Sequence, residues 1–307
     1  MRWFVIKYKQ LFARNYGVFT EQEQEKMRRS RVLVVGCGGI GGTVAVILAR
    51  CGVEKFELVD FDEYEPTNVN RQIGCLSSTF GMNKAEVIGE QIREINPEAE
   101  VVVHPLKLSL DELSDPVLEA DLVFPAADDF AFSLMLFRLC RQHGKPALFV
   151  LPAGTWANVS IIRPDSPTVE ELHGIPFLPD YQSLKEMFET RKYKLGSYYL
   201  YRLGRWRKEY FRSFIDDDHP LAQVCPTVWL CSSLGAGEAM KVLTGRGKPV
   251  ESPRYWSINE DKISIRRKNG FHMETVYGVQ RRIFWKILQS PAAPLFERLQ
   301  ALWYRFL

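Results

Sequence analysis

The sequence contains no Cys-x-x-Cys pair, although it has six cysteines in 307 residues. Structural zinc sites are usually built from such pairs, so we expect no bound zinc. Several of the cysteines lie inside apolar helical patterns, which favours buried thiols with a packing role. The six are Cys37, Cys51, Cys75, Cys140, Cys225 and Cys231.

The sequence also lacks long hydrophobic runs and a strong excess of one charge. Its apolar runs fall far short of the roughly 20 residues that a membrane span needs. The first nine residues carry charges too closely spaced for a signal peptide, so the expected location is the cytoplasm. A net charge of +3 does not by itself indicate a nucleic-acid partner.

The sequence does contain short β-branched runs that alternate with helical patterns. Strands are predicted at 31–36, 55–60, 100–104, 121–125, 147–151 and 154–163. Helices are predicted between them at 40–51, 83–95 and 129–143. This alternation predicts an α/β fold with a doubly wound, Rossmann-like and mostly parallel sheet. Residues 164–220 show little periodicity and are predicted to be irregular, whereas 228–243 form a helix and 253–267 a hairpin.

The first strand leads into a Gly-x-Gly-x-x-Gly turn. Its glycines would let the backbone approach a phosphate at the N-terminus of the next helix. They are Gly36, Gly38, Gly39 and Gly41. Asp60 ends the second strand, where an acid accepts hydrogen bonds from a ribose. These features predict an adenine nucleotide without separating NAD from ATP, and glycines that serve only a tight turn are the alternative.

The residues after Asp60 favour ATP. Arg71 and Lys84, with the nearby amides of Asn68 and Gln72, form a set that suits a triphosphate, whose charge has to be neutralised. A dehydrogenase that binds a pyrophosphate on backbone amides has no need of this set. The sequence therefore favours ATP over NAD.

An aspartate pair follows the fourth predicted strand. Asp128 and Asp129 would lie at the carboxyl edge of the sheet, where ligands bind. Transfer from ATP needs Mg²⁺, which one or two carboxylates usually hold. Asp128 is the better candidate for the metal. A helix N-cap is the alternative role, and one aspartate could cap while the other binds metal.

Together these motifs resemble the ThiF/MoeB-like superfamily, which also contains the ubiquitin-activating enzymes. The resemblance covers roughly residues 12–163 and 222–266. The matching stretches are Arg14-Asn-Tyr-Gly, Val34 to Gly42, Asp60-Phe-Asp, Asn68 to Gln72, Gly81 to Ala85, Ile95-Asn-Pro, Ala127-Asp-Asp and Pro226 to Lys241.

The resemblance implies ATP-dependent adenylylation of a carboxylate, often the C-terminus of a ubiquitin-like or sulfur-carrier protein. By position, Asp60 would hold the ribose and Asp128 the Mg²⁺. Phosphate contacts would come from Asn68, Arg71, Gln72 and Lys84. Arg14 matches an arginine that reaches the triphosphate of a partner subunit, so a homodimer is implied.

The chain departs from the family in three places. It has no zinc cysteines, and the crossover segment, residues 164–225, has no cysteine before Cys225, which precedes Pro226 and is followed by Cys231. Ser133 stands where members often have an arginine. Activation of a carboxylate without covalent relay through the enzyme therefore fits better, with Cys225 interpreted as a bystander thiol.

Two further segments are unusual in composition. Residues 185–212 carry nine Lys and Arg against three Glu, interleaved with aromatics, which suits a covering loop or a peptide surface better than RNA. In the tail, Leu295, Phe296, Leu299, Leu302, Trp303 and Phe306 share one helical face. Such a stripe packs on the same chain or a dimer mate, with a partner protein or a membrane surface as alternatives.

We divide the chain into an N-terminal arm (1–30), an ATP-binding half (31–163), the crossover segment (164–225), a completing helix and strands (226–270) and the tail (271–307). The predicted function is adenylylation of the C-terminus of a carrier protein or a ribosomal precursor peptide. The alternatives are a tRNA-modifying enzyme that activates a carboxylate, a non-catalytic nucleotide-binding subunit and a dehydrogenase.

Overall fold

The computed structural model describes residues 7–217, 219–268, 270, 273–288 and 290–306. Its strands are β1 Arg31–Val35, β2 Lys55–Val59, β3 Glu100–His104, β4 Leu122–Pro125, β5 Ala147–Ala153, β6 Trp156–Ile162, β7 Arg254–Asn259 and β8 Lys262–Arg267. They form one sheet in the order β3-β2-β1-β4-β5-β6-β7-β8. Strands β1 to β5 pair in parallel, and β5 to β8 pair antiparallel. The predicted α/β, mostly parallel, Rossmann-like fold is confirmed.

Helices connect the strands and cover both faces of the sheet. Up to the crossover segment they are α1 Tyr8–Leu11, α2 Glu21–Arg29, α3 Gly41–Cys51, α4 Lys84–Ile95, α5 Ser114–Glu119 and α6 Phe130–Gln142. The later helices are α7 Val169–His173, α8 Tyr181–Glu189, α9 Arg191–Gly196, α10 Tyr198–Leu203, α11 Lys208–Asp216, α12 Cys225–Thr244, α13 Met273–Leu288 and α14 Ala293–Phe306. Among the described residues, none of these helices has the length and hydropathy to cross a bilayer.

The parallel strands are apolar on both faces because each face is covered. In β1, Val32 and Val34 join a core with α3, α4 and α12, whereas Leu33 and Val35 join a second core with α5 and α6. All four side chains are almost fully buried. A strand of continuous apolar residues is therefore the expected pattern for this position.

Strand β1 lies where the order of connection reverses. The chain passes from β1 to β2 and β3 on one side, then returns to β4 on the other side of β1. At such a switch point the loops diverge and leave a crevice beyond the carboxyl ends of the strands. Val35, Val59 and Pro125 end the three strands that border this crevice.

The crossover segment is helical, so the prediction of an irregular 164–220 was wrong. Its five helices, α7 to α11, have between five and nine residues each. Such short elements show too few turns for a readable period. Three of them, α7, α8 and α9, are started by local caps, since the side chains of Thr168, Asp180 and Thr190 accept hydrogen bonds from backbone amides.

The aromatic residues of the crossover segment pack mainly on one another. Phe211 is fully buried, and the Tyr201 ring stacks on it with a centroid separation of 4.8 Å. Trp206 is also buried in this third core, beside Trp156 of β6. This packing favours the interpretation of a packed cover over that of a base-stacking surface.

The tail consists of two helices rather than one. Helix α13 precedes α14, and Ser290 and Pro291 lie between them. The Phe284 and Phe296 rings contact each other at 5.6 Å, which packs α14 against α13 of the same chain. Leu295 and Leu299 stay 63% and 56% exposed. The side chains of Leu302, Trp303 and Phe306 lie outside the described residues.

Candidate active site

The glycine turn is shaped by two close backbone approaches. Gly36 has φ +99°, and a Cβ there would lie 2.5 Å from the carbonyl carbon of Ala126. A Cβ on Gly41, the first residue of α3, would lie 1.8 Å from the Gly36 carbonyl oxygen. Side chains at these positions are therefore excluded. The turn brings the N-terminus of α3 against the carboxyl ends of β1 and β4.

Asp60 is fixed to the glycine turn. Its Oδ2 accepts a hydrogen bond from the Cys37 amide at 2.6 Å, and its Oδ1 accepts one from the Asp62 amide at 2.9 Å. Burial raises the pKa of the Asp60 carboxyl, and the two amide bonds act in the opposite direction. The carboxylate is thereby held rigidly beside the turn, with lone pairs left for further donors.

Asn68 organises the turn that carries Arg71 and Gln72. Its Oδ1 accepts from the Glu65 amide at 3.1 Å, and its carbonyl oxygen accepts from the amides of Arg71 and Gln72. The Trp229 indole of α12 donates to the Arg71 carbonyl at 2.9 Å. Asn68 thus acts through the backbone of its neighbours and does not line the cleft described below.

Gln72 has unused hydrogen-bonding capacity. Its side chain is 4% exposed, and its Oε1 has no hydrogen-bond donor among the described residues. Its amide lies 3.6 Å from the space where a Cβ of Gly38 would be. A buried polar atom of this kind is costly unless a ligand or water supplies a partner.

Lys84 begins α4 and is buried. Its Nζ donates to Asp62 Oδ2 at 2.9 Å, and only 5% of the residue is exposed. Asn83 caps the helix through Glu86, and its Nδ2 donates to the Asp60 carbonyl at 2.9 Å. The same short segment therefore positions a buried ammonium group and the loop that carries Asp60.

The two aspartates after β4 have different environments. Asp129 is the N-cap of α6, since its Oδ1 accepts from the Phe132 amide at 3.0 Å. Its Oδ2 accepts from the Tyr181 hydroxyl of α8 at 2.7 Å. Asp128 is exposed, and among the described residues no hydrogen bond or ion pair involves its carboxylate. Asp128 is therefore the aspartate of the pair whose carboxylate has no protein partner among the described residues, although both aspartates line the cleft.

These side chains surround one cleft at the switch point, with a volume of about 980 Å³. Predicted site residues that line it are Gly36, Gly38, Gly39, Asp60, Arg71, Gln72, Lys84 and Asp128. Gly41 and Asn68 do not line it, because they support the turn and its neighbouring loop from behind.

Arg14 lies far from the cleft of its own chain. Its neighbour Asn15 donates to the Cys51 carbonyl, at the end of α3 opposite the glycine turn. An 11-residue helix is about 16 Å long, so this separates Arg14 from the cleft. Its side chain is exposed.

Sequence reasoning missed several residues of the cleft. Lys107 and Phe61 line it, and the Lys107 Nζ lies 5.9 Å from the Phe61 ring centroid. Lys107 follows the end of β3 closely. Because ligands bind beyond the carboxyl ends of parallel strands, its position in the sequence could have predicted that it lines the cleft. Gln223 gave no such signal, since it reaches the cleft through a bridge with Gly154 that is distant in sequence.

The structure also shows the surroundings of Ser133 and of the cysteines, where the sequence departs from the family pattern. Ser133 is buried and donates to the Ala127 carbonyl at 3.0 Å, so no cation occupies that position. Among the described residues that line the cleft, none is a cysteine. Cys225 is partly exposed at the start of α12, whereas Cys231 is buried and burial raises the pKa of its thiol to about 12.

A model of the ThiF family matches residues 12–275, most of the chain. The chain belongs to the ThiF family. This family has curated members with different activities. The adenylyltransferase and sulfurtransferase MOCS3 of Aedes aegypti is 34% identical over 138 residues, which is 45% of this chain and 31% of that protein. The tRNA threonylcarbamoyladenosine dehydratase of Bacillus subtilis is 35% identical over 142 residues, 45% of this chain and 54% of that protein.

Solved structures of MccB of E. coli share the fold. MccB with ATP gives a TM-score of 0.63 at 23% identity, over 84% of this chain and 71% of that chain. MccB with N-formylated MccA gives 0.65 at 23% identity, over 85% and 73%. The matches to the curated relatives span only about a third to a half of those proteins.

Proposed function

We propose that this chain uses ATP and Mg²⁺ to adenylylate a carboxylate at the C-terminus of a small carrier protein or peptide. The observation that carries the proposal is the cleft, in which the glycine turn, Asp60, Arg71, Lys84 and Asp128 come together. Membership of the ThiF family supports it.

The residues of the cleft fit a nucleoside triphosphate. The turn at Gly36 leaves space for a phosphate near the N-terminus of α3, and Asp60 has lone pairs for ribose hydroxyls. Arg71, Lys84 and the amide of Gln72 would contact phosphates. Asp128 would hold Mg²⁺, which would supply further neutralisation of the phosphate charge.

The proposed chemistry needs no general base. A carboxylate is already ionised near neutral pH, so its oxygen can bond directly to the α-phosphorus. The bond from that phosphorus to the bridging oxygen breaks, and pyrophosphate leaves with the electron pair. The contribution of Arg71 and Lys84 is to position the phosphates and stabilise the developing charge.

The crossover segment is the proposed substrate-facing wall. Tyr181 of α8 reaches Asp129, next to the metal aspartate, and Gln223 lines the cleft itself. A polypeptide C-terminus would enter between this segment and the nucleotide. Because none of the described residues that line the cleft is a cysteine, the acyl-adenylate would pass to a nucleophile from outside the enzyme.

The test of the proposal is isotope exchange between pyrophosphate and ATP in the presence of candidate C-terminal peptides. Exchange that depends on the peptide and is lost when its C-terminus is amidated is the expected result. ATP binding without exchange for any carboxylate would favour a non-catalytic nucleotide-binding subunit instead.

A second candidate is activation of a carboxylate on a tRNA nucleoside. The similarity to the tRNA threonylcarbamoyladenosine dehydratase of Bacillus subtilis favours it. The same exchange assay separates the two, because tRNA rather than a peptide would then stimulate exchange. Binding of that tRNA should also weaken steeply as salt increases.

The two aspartates after β4 provide a matched pair of variants. Asp128→Asn should lower the exchange rate by about 100-fold at limiting Mg²⁺, because it removes the proposed metal ligand. Asp129→Asn should stay within a few-fold of the wild type, because asparagine is an equally good N-cap. A Mg²⁺ titration of both variants measures the difference. A larger defect in Asp129→Asn would contradict the assignment of the metal to Asp128.

Arg14 is proposed to serve the site of a second copy of the chain, in a homodimer. Arg14→Ala and Asp128→Asn subunits should each be inactive alone. After mixing and exchange of subunits, a heterodimer would contain one intact site, so about a quarter of the wild-type activity should return. No recovery, or a monomeric mass in solution, would rule out the shared site.

A further inference from the structure

A second cavity lies against the antiparallel half of the sheet. It is bounded by Trp156 of β6, Tyr255 of β7, Tyr199 of α10 and several residues of α13, and its empty space, including the part open to solvent, is about 650 Å³. It shares no lining residue with the nucleotide cleft. Part of its wall also lies beyond residue 275, where the ThiF family match ends. The cavity is therefore a feature separate from the shared ThiF site.

The acidic residue of this cavity is already engaged. Glu274 accepts hydrogen bonds from the Trp156 indole at 2.9 Å and the Tyr255 hydroxyl at 2.8 Å, and it also accepts from the Ser257 hydroxyl. Arg266 lies 3.3 Å from its second oxygen as an ion-pair partner. Its charge is therefore balanced within the protein.

Arg281 of α13, unlike Glu274, is a buried charge without an ion-pair partner among the described residues. It is 4% exposed and lines the cavity, and among the described residues no carboxylate forms an ion pair with it. Its Nη1 donates to the Tyr199 hydroxyl at 3.1 Å and weakly to the His173 carbonyl at 3.4 Å. The rings of Tyr193 and Tyr199 lie 4.9 and 5.1 Å from its guanidinium carbon. This is a buried cation stabilised by the ring faces and the hydroxyls of two tyrosines.

The remaining donors of Arg281 are its Nε and Nη2, which are buried and have no acceptor among the described residues. These two N–H groups lie side by side on one edge of the planar guanidinium. That edge is the fork with which arginine binds a carboxylate through two parallel hydrogen bonds. A buried cation with an unfilled fork is costly to the free protein, and an incoming anion would remove that cost.

The surrounding charges also favour an anion. Lys268 and Arg282 line the same cavity, and among the described lining residues Glu274 is the only acid. Burial, followed by the charge of Arg281, lowers the pKa of His173 to about 3, so this imidazole is neutral. The cavity wall therefore carries an excess of positive charge, together with aromatic side chains that suit a flat ligand.

We propose that this cavity binds a small organic carboxylate, with the carboxylate on the Arg281 fork and an aromatic or apolar body against Trp156 and Tyr199. The site is independent of the adenylylation proposed above. A ligand here would tie α13 to the crossover helices, because Arg281 contacts Tyr199 of α10.

Benzoate is the probe that tests this site, with benzamide as a neutral molecule of the same shape. Benzoate is expected to raise the melting temperature of the wild type and to give a saturable calorimetric isotherm, whereas benzamide gives neither. Arg281→Lys keeps the charge but loses the fork, so benzoate should bind at least about tenfold more weakly. Arg298→Lys, an exposed arginine on α14, is the matched control and should bind benzoate like the wild type.

Three outcomes would overturn the proposal. They are no binding of benzoate to the wild type, equal binding of benzoate and benzamide, and tighter binding of inorganic phosphate than of benzoate. If Arg281→Lys fails to fold, the comparison of benzoate with benzamide on the wild-type protein still tests whether the cavity selects a carboxylate. The Lys84→Met variant separates this site from the nucleotide cleft, because it should retain full affinity for benzoate, and a loss there would place benzoate in that cleft.

Discussion

Replacement of Lys84 by methionine is expected to lower peptide-dependent pyrophosphate exchange by about 100- to 1,000-fold, the usual cost of losing one charged group that stabilises a transition state. Lys84 is buried in the wall of the cleft, where water screens its charge poorly. Methionine has nearly the same length and keeps the packing at the start of α4. The measurement is the exchange rate at saturating ATP and Mg²⁺.

The stability of the Lys84→Met variant should change little. Its partner Asp62 has a side chain that is 44% exposed, so this carboxylate stays hydrated after the ammonium group is removed. Lys248→Met, at an exposed position outside the cleft, is the matched control and should exchange at the wild-type rate. Exchange within threefold of the wild type in Lys84→Met would mean that the phosphates bind elsewhere.

A pair of glycine-to-alanine variants should change stability in opposite directions. In Gly41→Ala the new Cβ would lie 1.8 Å from the Gly36 carbonyl oxygen, so the glycine turn has to move. We expect the free energy of unfolding to fall by about 3 kcal/mol or more, together with loss of ATP binding. Urea denaturation and nucleotide titration measure the two effects.

Gly237 is the control for helix propensity. It lies inside α12, and no described atom comes within 4 Å of the position of its Cβ. Alanine there should raise the free energy of unfolding by about 0.5–1 kcal/mol, because glycine is a poor residue in a helix interior. A Gly41→Ala variant as stable as the wild type would show that the turn does not depend on the close approach to Gly36.

The crossover segment is the part of the fold whose secondary structure could not be predicted from hydrophobic periodicity. The parallel strands are runs of apolar residues with glycine or an acid at their ends, and each is visible in isolation. Helices α7 to α11 are too short for a clear period. They are held by packing with distant residues in one core, such as the contact of the Tyr199 ring with Trp156 of β6. Their arrangement depends on tertiary packing, which a local pattern does not contain.

The residues of the candidate site also include some whose position the sequence could predict and one whose position it could not. Membership of the glycine turn, Asp60, Arg71, Lys84 and Asp128 in one cleft was predictable, because the carboxyl ends of parallel strands meet at one edge. The position of Asn68 behind that cleft was not predictable, since a short loop can turn its amide either towards the ligand or back to Glu65.

The sequence by itself determined the ThiF-type fold, the glycine turn and the residue types that meet at the switch point, because strand and helix periodicity and local turn chemistry can be read from nearby residues. Only the tertiary structure decided that Asp129 contacts Tyr181, that Arg14 lies at the far end of α3, and that Arg281 is buried with an unfilled fork. These outcomes depend on contacts between segments far apart in the chain, where burial and available partners decide what each side chain can do.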